Sequence, residues 1–81
     1  MSEALPRQLR WREFTAVLRK LGYELHKSNK GSARTFRNLN RQPPFVTFHE
    51  PHGSDTLRKG TLREYIRKLG LSHAEFLQLL D

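Results

Sequence analysis

The sequence has no cysteine, so disulfide staples, zinc–thiolate sites and thiol nucleophiles are all excluded. It is also poor in acids. Eight Asp and Glu stand against 15 Lys and Arg, a formal net charge of +7 on 81 residues. From Leu25 through His49 there is no carboxylate at all, while Lys27, Lys30, Arg34, Arg37 and Arg41 fall in that stretch. A second basic group, Arg58, Lys59, Arg63, Arg67 and Lys68, is interrupted by Glu64 alone. So much cationic charge on a small domain points to a polyanion, with nucleic acid first among such partners.

Long apolar runs are missing as well. Nothing approaches the roughly 20 residues of a membrane span, and MSEALPRQLR lacks the apolar centre of a signal peptide. A cytoplasmic protein without a membrane partner is expected. No Gly-rich nucleotide fingerprint occurs, and Gly31-Ser32 alone is too little for a phosphate loop. His49 and His52, with only Glu50 and Asp55 nearby, match known metal-ligand spacings poorly. Neither a metal nor a small-molecule cofactor is expected.

What is present is enough for one small domain, placed at residues 9–81 behind a flexible N-terminus of residues 1–8. Trp11, Phe14, Val17, Leu18 and Leu21 recur at helical spacing, and Gly22 suits the left-handed residue after a helix end. Tyr23–Lys27 alternates as a strand, residues 28–32 form a turn, and Ala33–Arg37 is a second strand. A loop through Pro43-Pro44 leads to Phe45–His49, the strand with the clearest β composition. Residues 50–60 are expected to be irregular.

Thr61-Leu62-Arg63-Glu64 has the form of a capping box opening a second helix, which Gly70 closes. Ser72-His73-Ala74-Glu75 repeats that form before a short third helix, with Leu71 and Phe76 placed for a hydrophobic staple. No internal repeat is evident. The order predicts an α+β fold: helix, three-stranded antiparallel sheet, helix, short C-terminal helix, with one sheet face covered and the other free.

The candidate chemistry lies in the histidines and the basic residues. His26 and His73 suit surface positions. His49 and His52, in FHEPHG, end the best strand and enter a loop before a basic helix. Two imidazoles can serve as base and acid when a ribose 2′-hydroxyl attacks its neighbouring phosphate, a reaction needing neither metal nor covalent intermediate. The candidate RNA contacts are Lys30, Ser32, Arg34, Arg37, Lys59 and Arg63, binding phosphate and ribose and so reading shape rather than sequence. Ser32 suits a turn serine bonding backbone better than a nucleophile, and the Phe residues of RTFRN and FVTF, compatible with bases stacking on a sheet, suit a core better.

An ordered series of motifs, LRKLGYEL, the KGS turn leading to Phe36, PHGSDTLRKGTLREYIRKLGLS, and EFLQLL, resembles the HicA (YcfA-like) toxins of bacterial toxin–antitoxin modules. The resemblance runs from Trp11 to Leu80. It implies a double-stranded-RNA-binding-like fold, cleavage of mRNA, and a HicB-type antitoxin as partner. The family pattern usually reads Gly-Ser-x-His after the turn, the histidine being catalytic. Here Gly31-Ser32-Ala33-Arg34 stands instead, and an arginine, whose guanidinium keeps its proton throughout the working pH range, cannot act as the base. Two readings follow: a ribonuclease whose base is His49 or His52 with Arg34 as an electrostatic clamp, or a module that binds RNA or antitoxin without cleaving. A protein-interaction domain with an acidic partner is the reading of a different class.

Overall fold

In the computed structural model, which describes residues 5–28 and 31–80, the order is β1 (Gln8–Arg10), α1 (Trp11–Lys20), β2 (Glu24–Ser28), β3 (Ala33–Arg37), β4 (Phe45–His49), β5 (Thr56–Arg58), α2 (Lys59–Lys68) and α3 (His73–Leu80). β2, β3 and β4 form the expected antiparallel meander, and β1 and β5 pair as a separate two-stranded ladder. The α+β, double-stranded-RNA-binding-like layout is therefore present, with two additional short strands.

In β3 and β4 the alternation of side chains sorts the sheet into two faces. Phe36, Val46 and Phe48 are buried, whereas Phe45 and His49 are exposed and Thr35 and Thr47 half-buried. Phe14 of α1 anchors the covered face. Its ring meets Phe48 edge-on at 5.0 Å, Tyr65 at 5.6 Å and Phe76 at 6.2 Å, so all three helices converge on one aromatic cluster. Such pairs add stabilisation beyond the area they bury.

α1 and α2 end alike. Gly22 (φ +87°) follows α1 and Gly70 (φ +73°) follows α2, each a backbone conformation that favours glycine. At Gly22 a side chain has no room either: a Cβ would lie 2.7 Å from the Asn38 amide nitrogen, which donates to the Leu21 carbonyl.

Four sequence expectations need correction. Residues 5–8 do not simply fray: Leu5 is buried in the core, and Gln8 pairs with Arg58 in the β1–β5 ladder. Residues 50–60 are not irregular throughout, because Thr56–Arg58 is that ladder's second strand. Thr61 does not cap α2. The helix starts at Lys59, straight out of β5, since that start continues the ladder while turning Leu62 and Ile66 into the core. Finally, an internal repeat exists. Gln8–Gly22 and Thr56–Gly70 are equal in length, each a strand running into a helix, and they share Leu9/Leu57, Arg10/Arg58 and Arg-Lys-Leu-Gly at the helix end. Their strands pair antiparallel about Leu9 and Leu57. The second capping box stands as expected: Ser72 Oγ accepts from the Glu75 N–H at 3.1 Å, and Glu75 returns the bond to the Ser72 N–H at 2.7 Å.

Candidate functional site

A cleft of about 360 Å³ opens where β4 ends, between the turn before β3 and the start of α2. Its walls include Ser32, His49, Glu50, His52, Arg58 and Thr61. β4 brings His49 there, the loop that follows brings His52, and the β5–α2 junction brings Arg58. The two candidate catalytic histidines thus face one space.

His49 is held from two directions. Ser32 Oγ lies 3.2 Å from His49 Nδ1. With Nδ1–H donating to that oxygen, Nε2 is left as the free basic nitrogen; the opposite tautomer makes Nε2 the donor. The main chain of His49 is fixed by Tyr65, whose hydroxyl accepts from the His49 N–H and donates to the His49 carbonyl, each at 3.1 Å. Lys68 Nζ donates to the Thr47 carbonyl at 2.7 Å. Side chains of α2 thereby occupy the outer edge of β4, which would otherwise expose unpaired backbone groups.

The N-terminus of α2 differs from that of α1. In α1 the Glu13 carboxylate accepts from the Arg10 N–H at 3.0 Å. The first turn of α2 has no acidic residue, and Arg58 at its N-cap makes no side-chain cap bond. Arg58 at its N-cap and Thr61 in its first turn line the cleft, so the positive end of the helix lies at that wall, a setting that favours an anion.

Arg34 is not among the cleft walls. Its Nε donates to Glu50 Oε1 at 3.2 Å, and its Nη1 donates to the carbonyls of Gly31 at 2.9 Å and Ala33 at 3.0 Å. The side chain is 25% exposed. Glu50 is the one carboxylate lining the cleft among the described residues, so Arg34 holds the turn and offsets the charge that would most repel a phosphate.

Of the other residues singled out from sequence, Arg37 is exposed at the far end of β3, and Lys59 and Arg63 are exposed on α2 beyond the cleft wall. Lys30 lies outside the described residues. Arg58 and Tyr65 were missed as site residues. Arg58 could have been found from the matching Leu-Arg steps at residues 9–10 and 57–58, which mark both strand-to-helix junctions. Tyr65 carries no such signal, because it reads as one more apolar position of a helix. No group of three or more His, Asp or Glu suited to a metal ion occurs among the described residues, and none of the helices searched there is long and apolar enough to cross a membrane.

The model of a protein family described as "HicA toxin of bacterial toxin-antitoxin" matches residues 11–71. The chain belongs to the HicA toxin family. The match takes in β2–β4, the cleft and α2, leaving outside it β1 and α3. No curated protein and no solved structure matches the chain. As a HicA-family member it is a toxin-type component of a toxin–antitoxin module, and its partner in kind is an antitoxin.

Proposed function

We propose that this HicA-family chain is a metal-independent endoribonuclease acting on mRNA in the cytoplasm, restrained by a HicB-type antitoxin. The observation that supports this best is the meeting of Ser32, His49, His52 and Arg58 in one cleft, with His49 Nδ1 at 3.2 Å from Ser32 Oγ. In the proposed reaction His49 takes the proton of a ribose 2′-hydroxyl through Nε2. The 2′-oxygen forms a bond to the adjacent phosphorus while the bond from phosphorus to the 5′-oxygen breaks. His52 gives its proton to the departing 5′-oxygen. Arg58 and the first-turn amides of α2 stabilise the charge that gathers on the phosphoryl oxygens. Lys59 and Arg63, exposed on α2, extend the cationic track for the RNA backbone, Arg37 is a proposed contact outside the cleft, and Lys30, which lies outside the described residues, is a further proposed contact.

One observation favours a second reading. Arg34 at the usual histidine position supports a module that binds RNA or antitoxin without cutting. Incubating the purified protein with labelled RNA in EDTA, beside the His49→Ala/His52→Ala variant, separates the two. Cleavage by the parent and none by the variant supports the nuclease. Retention by both of RNA that stays intact supports the binding module.

A further inference from the structure

The sheet face opposite the helices carries a group of side chains that the cleft chemistry does not use. Phe45 is 48% exposed although it begins a strand whose alternate members are core, and its ring meets that of His26 at 5.6 Å in an edge-to-face contact. Alternation puts His26 on this face with Glu24, and the β2–β3 register shift between Leu25 and Lys27, which adds a residue to β2, brings Lys27 onto it as well. Such a bulge redirects a side chain while the ladder continues on both sides.

Register places Arg37 opposite Phe45 and Lys27 opposite Thr35 on the same face. Neither Arg37 nor Lys27 has an ion-pair partner among the described residues. Glu24, opposite Arg37, is the one acid in the group. Thr35 and Thr47 bond across the face at 2.9 Å and lead toward His49, whose side chain both shares this face and lines the cleft. From Phe45 to His49 the strand spans ~13 Å, at about 3.3 Å per residue.

A single exposed phenylalanine needs no explanation. A phenylalanine and an imidazole in contact, flanked by two unpaired cations and on the face that runs into the cleft, do. We propose that this face is a platform for single-stranded RNA: one unpaired base stacks on the Phe45–His26 pair while Lys27 and Arg37 take neighbouring phosphates, feeding the strand toward His49. Aromatic stacking with backbone cations is how unpaired strands are held without sequence preference, and a duplex offers no splayed base to such a surface. The inference rests on the RNA reading of the cleft and sharpens its substrate to unpaired RNA.

The test is fluorescence anisotropy with the full chain and a labelled oligouridine carrying 2′-O-methyl groups, which cannot be cut, alongside the same strand annealed to its complement. Phe45→Ala is expected to weaken single-strand binding roughly 5- to 150-fold, the range for losing one stacked base, and to leave duplex binding unchanged. Phe45→Leu keeps apolar bulk without a π face and should lose affinity like Phe45→Ala. Phe45→Trp should bind at least as tightly as the parent, with indole emission quenched by the strand. Equal single-strand affinity in the parent, Phe45→Ala and Phe45→Leu would overturn the platform while leaving the cleft proposal standing; it is also the result expected if an acidic protein occupies the face instead. A parent that binds neither form would overturn the RNA reading itself.

Discussion

The Tyr65 hydroxyl bonds both main-chain groups of His49 at 3.1 Å, so the position of the proposed base is set from α2 rather than from its own strand alone. The Tyr65 ring is in turn wedged against Phe48 at 4.7 Å and Phe14 at 5.6 Å. A chain of packing therefore runs from the centre of the core to the cleft.

Tyr65→Phe keeps that ring and deletes the two bonds. Stability should fall by about 1–2 kcal/mol, at about 1 kcal/mol per net hydrogen bond. RNA cleavage should fall about tenfold to a hundredfold, because small misplacements of a catalytic group have large kinetic effects. Urea unfolding and single-turnover cleavage check the two parts separately. Undiminished cleavage would show that His49 is oriented by Ser32 alone.

Arg34 gives the second prediction, through its pairing with Glu50 at 3.2 Å. Arg34→Ala exposes the Glu50 carboxylate to the cleft and should weaken RNA binding severalfold. Adding Glu50→Gln should restore most of that loss, a coupling that a double-mutant cycle measures. If the double variant binds as poorly as Arg34→Ala, then Arg34 contacts phosphate directly. A salt titration supplies an independent readout, since each lost phosphate contact shallows the salt slope by about one ion.

How much of this was legible in the sequence depended on where each partner lies along the chain. β3 and β4 fall where composition and the flanking prolines place them, because both signals are local. The β1–β5 ladder was not legible: each strand has three residues, too few for alternation to register, and its partner sits at the other end of the chain. The capping box at Thr61 failed for a related reason. Its residues fit the pattern, but continuity with β5 sets the N-cap at Arg58, three residues earlier. His49 and His52 could be singled out as a pair, yet Ser32 as the partner of His49 depends on strand pairing that brings residue 32 beside residues 49 and 50. The exposure of Phe45 was hidden because FVTF reads better as core.

Leu5 tests the corrected N-terminus. It is 5% exposed within the core, so Leu5→Ala should destabilise by about 2–5 kcal/mol, the usual range for emptying a buried leucine site. A frayed segment would give almost no change in the urea midpoint.

Acid should act on the start of α3. The Glu75 carboxyl is held below its ordinary range, chiefly by the hydrogen bond from the Ser72 N–H and then by the Ser72 hydroxyl. A group whose folded pKa is depressed contributes stability that is present above its unfolded pKa and lost as pH falls through the folded value. Carboxyl NMR titration should place Glu75 below the ordinary glutamate range, and Ser72→Ala should move it up. An unmoved titration in Ser72→Ala would remove the Ser72 hydroxyl as a cause and leave the Ser72 N–H alone.

The most direct measurement for the cleft is the chemical identity of the RNA ends produced in EDTA, read by mass spectrometry. In-line attack by a 2′-hydroxyl between His49 and His52 predicts a 2′,3′-cyclic phosphate on one fragment and a 5′-hydroxyl on the other, both absent with His49→Ala/His52→Ala. Fragments bearing a 5′-phosphate, cleavage that requires added metal, or the same ends from the double variant would contradict it.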